Sequence, residues 1–340
     1  MPVEAVRLDS IQVLRGLAAL SVAWFHMTNG YRHDTVAVSG SLGWLGVDCF
    51  FVISGFVIPY SLHVGGYGAG DFGRFLARRI LRIEPPYLVS IVLVLALGFA
   101  SAQAPGFAGP QPQFNAPQIL SHLLYLIPLT HFSWLQPVYW SLTYEFVFYI
   151  VVGLCFRSLW PRHLAFTALV GLAAVLLKWA IMGGWDGRLP LFVLGVAAAR
   201  YFLRKDGLAT FLVAAALTVA AMVIMGSALS ASAGLATALA IALLRLPSWR
   251  PLTLLGAISY SLYLTHVPIG GRIVNLGMRF GHGPFFEASL SILALIGSLL
   301  FAWLFHRIVE AAALRWSKRL LPRQPTVSPA DVSTLAHGKS

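Results

Sequence analysis

Residues 8–28 read LDSIQVLRGLAALSVAWFHMT. A stretch of this length and apolarity crosses a bilayer as one helix. It also holds Arg15 and His26, eleven positions apart. At 3.6 residues per turn, eleven steps return a helix to nearly the same face, about 16 Å further along its axis. A cation and an imidazole therefore share one face of a segment that otherwise suits lipid. Ionisable groups at membrane depth are costly and mark function by default. Two blander readings stand beside this one: a histidine near a span end can snorkel to the interface, and an arginine can serve orientation alone. The rest of the chain has to decide.

Composition narrows the class. Of 340 residues, 58% are hydrophobic and 11% charged, with mean hydropathy +0.77. Soluble domains carry about 25% charged residues, so this is a polytopic membrane protein. Its apolar runs are long and continuous rather than alternating, which predicts an all-α fold instead of a barrel. The formal charge of +12 does not imply nucleic acid, because the Lys and Arg sit in short connections flanking apolar runs. Cys49 and Cys155 both lie in apolar segments. They form no disulfide framework or zinc spacing, and the ten histidines are scattered, so no metal is expected. The N-terminal region lacks a cleavage pattern, so the first apolar segment is expected to be retained as a helix.

Ten spans can be drawn, at roughly 10–28, 43–62, 80–100, 138–156, 163–181, 188–203, 208–226, 229–246, 251–274 and 285–307. The connection 63–79 carries Arg74, Arg78 and Arg79, whereas 98–137 carries no Lys, Arg, Asp or Glu. The positive-inside rule makes the first cytoplasmic and the second external. Arg157, Arg162, Arg200, Arg204, Lys205, Arg245, Arg250 and the basic stretch 307–323 then all fall inside. Ten spans with both termini cytoplasmic satisfy every connection. Residues 117–130 are expected to form a short interfacial or re-entrant helix. The transmembrane domain is expected over 1–321 and a polar, disordered tail over 322–340. No internal repeat is evident, which weighs against a transporter.

On this frame Asp48, Glu145 and His266 join His26 in the outer half of the membrane, while Arg15 faces the cytoplasm. Ser141, Glu145 and Tyr149 follow at i, i+4 and i+8, and Ser259, Tyr263 and His266 at i, i+4 and i+7. Each set makes a polar stripe that does not suit lipid. Residues 71–86, DFGRFLARRILRIEPP, repeat Arg74, Arg78 and Arg82 every four residues before Pro85 and Pro86. The prolines are expected to end or kink this piece. The result is a short basic helix near 71–84 at the cytoplasmic interface. It suits anionic lipid headgroups or, as a set of forked donors, the phosphates of a soluble donor.

Five strings taken together resemble one family. LDSIQVLRGLAALSVAWFHM (8–27), GVDCFFVISGFVI (46–58), FLARRILRIEPPY (75–87), VYWSLTYEFVFYI (138–150) and LGAISYSLYLTHVPI (255–269) are similar, in order, to motifs of the acyltransferase-3 family of bacterial inner-membrane O-acyltransferases. The matching positions are Arg15 and His26, Asp48 and Ser54, Arg79 and Arg82, Ser141 and Glu145, and Tyr260, Tyr263 and His266. Glu84 departs from the aromatic residue usual before the Pro pair. The compact length and the Ile-Gln-x-Leu-Arg opening look most like the exopolysaccharide-acetylating branch. The chain is expected to lack the extracytoplasmic esterase-like domain that some members carry.

The resemblance implies transfer of an acyl group, usually acetyl, from acetyl-CoA or another acyl-CoA to a hydroxyl of a glycan or a lipid-linked glycan. Arg79 and Arg82, helped by Arg78 and Arg74, would hold the donor phosphates. His26 would act as general base or transient acyl carrier, with Arg15 contacting the donor and Glu145 or Asp48 orienting the imidazole. Ser54, Ser141, Tyr260, Tyr263 and His266 are candidate substrate contacts, although helix packing explains each hydroxyl equally well. Membrane lipid is an expected partner, nucleic acid is not, and a homo-oligomer is compatible with the chain. A lipid, peptidoglycan or small-molecule acceptor is the alternative within the enzyme class. A proton-coupled transporter is the alternative outside it, since intramembrane acids and histidines also build proton relays.

Overall fold

The structure is a computed structural model that describes residues 3–31, 34–104, 113–160, 188–244 and 249–320. The regular structure among the described residues is all helical, with no strand among them. The helices are α1 (Val3–Thr28), α2 (Asp34–Gly40), α3 (Leu45–Val64), α4 (Phe72–Ala102), α5 (Ala116–Leu123), α6 (Trp140–Leu159), α7 (Pro190–Phe202), α8 (Leu208–Ile224), α9 (Ala228–Leu243), α10 (Arg250–Ala257), α11 (Ser259–Gly277), α12 (Pro284–Phe305) and α13 (Ala311–Leu320). Four helices are long and apolar enough to cross a membrane, and a fifth joins them if the bent pair α10–α11 is one span. The span expected over 163–181, with Arg162, Arg245, Arg323 and the tail 322–340, lies outside the described residues.

Close backbone approach organises the bundle. Helices α3 and α7 meet through two glycines: a Cβ on Gly55 would stand 2.2 Å from the carbonyl oxygen of Phe192, and one on Gly195 would stand 2.0 Å from that of Val52. Helices α1 and α10 meet the same way, since a Cβ on Gly256 would lie 2.0 Å from the carbonyl oxygen of Gln12. In lipid there is no hydrophobic drive between helices, so small residues that admit van der Waals contact between backbones set the packing. Around these seams Phe51, Phe148 and Phe192 form an aromatic core, with Phe148 stacked on Phe192 at 4.2 Å.

Three expectations are redrawn. The basic segment is not a separate helix, because α4 runs unbroken from Phe72 to Ala102 with Pro85 and Pro86 inside it. A proline lacks an N–H and crowds the preceding turn. Here Tyr260 donates its hydroxyl to the carbonyl of Ile83 at 2.9 Å, beside that disturbed turn. The segment 251–274 is not straight: α10 and α11 meet at 71°, where Ile258 ends α10 outside regular helical geometry. Arg200, sorted with the cations of the inner connections, is 1% exposed. Asp206 accepts its Nε and Nη2 at 2.5 and 2.9 Å, and the Trp160 carbonyl accepts Nη1.

The region near 117–130 does form a short helix, α5, capped by Asn115 accepting from the Gln118 amide at 2.8 Å. It is tied down by His122, fully buried, whose Nε2 accepts the Leu135 amide at 3.2 Å and whose Nδ1 meets the Tyr87 hydroxyl at 3.0 Å. After α12, residues His306–Glu310 form a π-turn that leads into α13. A π-turn inserts one residue into the helical ladder and recurs at functional sites.

The glycine seam gives a test. Gly195→Ala should lower the stability of the purified protein by about 1–3 kcal/mol, the usual cost of overpacking, read as a reduced melting temperature. Gly271→Ala, in α11 where an added Cβ would meet nothing within 4 Å, should leave it equal or raised.

Candidate active site

The first turns of α4 face the end of α3 and one face of α13, and between them opens a cavity of about 590 Å³. Arg74, Arg78, Arg79, Arg82 and Lys318 line it. Helical spacing explains the arrangement, since 74, 78 and 82 recur every four residues and 79 stands beside them. Arg79 is held in place: its Nη2 donates to Ser61 Oγ at 3.0 Å, and its guanidinium lies over the rings of Phe75 and Tyr149, at 5.5 and 5.6 Å. Arg78 receives α13 through its carbonyl, which accepts from Ser317 Oγ at 3.2 Å. Tyr67, in the connection before α4, donates its hydroxyl to the Gly153 carbonyl at 2.7 Å. Burial and the Asp71 carboxylate push that phenol up, so it stays a neutral donor.

Arg79, Arg82 and Val57 are also the wall of a second, deeper cavity of about 110 Å³. It contains Arg15, Ser54, Glu145 and Tyr260. Helix α3 presents Ser54 one residue before the Gly55 seam, and α6 presents Glu145. Ser54 Oγ donates to Glu145 Oε1 at 3.0 Å, and the Tyr149 hydroxyl donates to the same oxygen. Arg15 lies within electrostatic reach of Glu145, Glu310 and Arg82. Glu310, at the end of the π-turn, is 3% exposed and accepts from Ser261 Oγ at 2.6 Å and from His306 Nδ1 at 2.9 Å. The cavity thus sets three guanidiniums, of Arg15, Arg79 and Arg82, around the hydrogen-bonded carboxylate of Glu145, an arrangement that compensates buried charge.

Beyond the cavity stands a third layer. Tyr263 lines the cavity and joins Ser141 Oγ at 2.6 Å, and its ring lies 6.1 Å from that of His266. His266, fully buried, sets its Nε2 3.3 Å from Nδ1 of His26. The two rings meet edge to face at 5.0 Å. Asp48, also fully buried, forms an ion pair with Arg188 at 3.2 Å. That guanidinium lies over Trp44 and Trp140 at 5.3 and 5.1 Å.

The sequence model of the family described as acyltransferase domain matches residues 8–307. The chain belongs to the acyltransferase-3 family. The match takes in every residue of the deeper cavity; Leu314, Ser317 and Lys318 of the outer one lie past its end. The chain is also similar to acyltransferase MdmB of Streptomyces mycarofaciens, with 29% identity over 163 residues, covering 46% of this chain and 41% of that protein. It therefore spans about two fifths of the length of this relative. No solved structure matches the chain.

For this family member the candidate residues sort into three groups. Arg15, Glu145, Ser54, Ser141, Tyr260 and Tyr263 come together around the deeper cavity, with Arg79 and Arg82 at its wall. Arg74 and Arg78 stay in the outer cavity. His26 meets His266, and Asp48 meets Arg188. The acids considered as partners for the imidazole are engaged elsewhere, Glu145 by Ser54 and Tyr149 and Asp48 by Arg188, and a second histidine occupies the position beside Nδ1. Sequence reasoning did not single out Ser61, Lys318 or Glu310. Glu310 had a weak signal, as an acid four residues after His306 in a basic stretch. Lys318 had none, since nothing in its spacing places it beside α4.

Removal of one partner from a buried ion pair strands the other. Arg188→Ala should destabilise the protein by about 3–5 kcal/mol, seen as a fall in melting temperature. Asp48→Asn in the same chain should restore part of it.

Proposed function

We propose that this chain is a membrane O-acyltransferase that moves an acetyl group from cytosolic acetyl-CoA to a hydroxyl of a glycan, such as an exopolysaccharide or its lipid-linked precursor. In this reading the chain crosses the bacterial inner membrane ten times with both termini in the cytoplasm. The outer cavity is then the cytoplasmic entrance, and the His26 layer lies toward the opposite face. The observation that carries the reading is the shared wall: Arg79 and Arg82 border both the basic entrance and the polar cavity behind it. A donor with a phosphate-rich end and a long neutral arm fits such a path. Forked guanidiniums bind phosphate oxygens, and the arm continues past Arg15 and Glu145 toward the histidines.

The chemistry follows from that order. His26 removes the proton of the acceptor hydroxyl as its oxygen attacks the thioester carbonyl. The carbon–oxygen bond forms, the carbon–sulfur bond breaks, and the departing thiolate takes up the proton held by His26. Arg15 offers donors to polar groups of the donor arm inside the cavity, and the Ser54–Glu145–Tyr149 cluster fixes one wall of it. A neutral imidazole is suited to the proton transfer because its ordinary pKa lies near working pH.

Reconstituted protein tests this. His26→Ala should lower kcat for acetyl transfer by about 10²–10⁴-fold with the protein still folded. Arg79→Ala and Arg82→Ala should instead raise KM for acetyl-CoA by about tenfold or more, as expected for a lost charge-assisted hydrogen bond. Full activity in His26→Ala, or solute uptake without consumption of acetyl-CoA, would sink the reading. Mass spectrometry of surface glycans with and without the protein reports the acceptor.

A further inference from the structure

His26 and His266 share more than proximity. His26 Nδ1 stands 3.0 Å from the carbonyl oxygen of Val22, and His266 Nδ1 stands 2.8 Å from that of Leu262. A carbonyl oxygen only accepts, so each Nδ1 carries the hydrogen. A neutral imidazole has one N–H, so Nε2 of each ring is a bare lone pair. The lone pair of His266 Nε2 then faces the Nδ1–H of His26 at 3.3 Å. That hydrogen is shared between two acceptors, Val22 O and His266 Nε2, a three-centre bond of the kind common in helices. The reverse polarity, with His266 Nε2 donating, would leave the His26 Nδ1 lone pair against the Val22 carbonyl.

Resting on the assignment of His26 as proton acceptor, we propose that His266 is the positioning residue of the reaction, holding His26 in the tautomer that presents Nε2 to the acceptor hydroxyl. It fills the place that a buried acid occupies behind a catalytic histidine, but as a neutral acceptor. When His26 Nε2 takes the acceptor's proton, the ring becomes an imidazolium and its Nδ1–H a stronger donor. The bond to His266 Nε2 then strengthens in the transition state, the condition for an interaction to raise kcat. No proton leaves the His26 ring until the thiolate takes one from Nε2. His266 is suited to this because it is fully buried and its own ring is fixed by Leu262, so no reorganisation accompanies the charge.

The full chain in lipid bilayers, labelled with ¹⁵N-histidine, gives a direct reading. Signals are assigned by their loss in His26→Gln and His266→Gln. Both rings should show protonated Nδ1 and bare Nε2; a His26 ring protonated at Nε2 overturns the proposal. Kinetics give a second reading. His266→Ala should lower kcat about tenfold, the scale of one hydrogen bond to a charged group, with KM for acetyl-CoA unchanged. In His266→Gln the amide oxygen supplies an acceptor where Nε2 stood, so kcat should stay close to that of the unaltered protein. A folded His266→Ala with undiminished kcat, or a folded His266→Gln as slow as His266→Ala, overturns the positioning role. If His266→Ala does not fold, the spectra of the unaltered chain and the glutamine variant still decide. Activity retained by His26→Ala would instead defeat the base assignment, an outcome independent of where the Nδ1 hydrogen resides.

Discussion

Helix α3 has almost no freedom of position. Its Gly55 and its partner Gly195 bring two backbones so close that a single added carbon on either would stand 2.2 or 2.0 Å from a carbonyl oxygen, well inside van der Waals contact. Everything polar on α3 inherits that constraint. Ser54, the neighbour of the seam, is turned away from α7 and onto Glu145. Asp48, about two turns earlier, is delivered to Arg188. Ser61, about two turns later, receives Arg79. One contact without a side chain thus fixes the register of three polar contacts along one helix, and with them the walls of both cavities.

The polar groups obey a common rule. In an apolar surrounding, an uncompensated charge costs several kcal/mol, and four of the charged groups are matched by hydrogen-bonding side chains. Glu145 is matched by Ser54 and Tyr149, Glu310 by Ser261 and His306, Arg200 by Asp206, and Tyr125 donates to Glu84 at 2.7 Å. Glu84, the departure from the family's usual aromatic, therefore enters a hydrogen bond with a tyrosine of the segment after α5. Such matching yields a site whose charged members hold fixed geometry before any substrate is present.

Much of this was legible in the sequence, and what was not has a physical reason. An ionisable group inside an apolar stretch stands out at once, so Arg15, His26, Glu145 and Asp48 are conspicuous without a structure. Helical period also put Ser141, Glu145 and Tyr149 on one face. Period describes a single helix, however, and says nothing about which helix faces which. His26 and His266 lie 240 positions apart, and no local spacing joins them. The Pro85–Pro86 pair was expected to end or kink its segment because proline is a purely local signal, whereas the helix continues to Ala102. Arg200 sorted with loop cations because charge counting cannot see Asp206 fold back onto it. The bend at Ile258 was invisible because hydropathy runs smoothly across it.

The π-turn at His306–Glu310 has a further consequence for how the outer cavity is closed. One extra residue in a helix rotates everything after it by about 100° relative to an uninterrupted one. Helix α13 is therefore out of phase with α12, although the chain runs from one to the other almost without pause. The apolar face of α12 keeps its direction, while α13 turns Leu314, Ser317 and Lys318 toward α4. In an unbroken helix that azimuth would belong to other residues. The turn acts as a phase shifter: it allows one continuous rod to satisfy an apolar surrounding along most of its length and still present a hydroxyl and an ammonium to the basic entrance at its end.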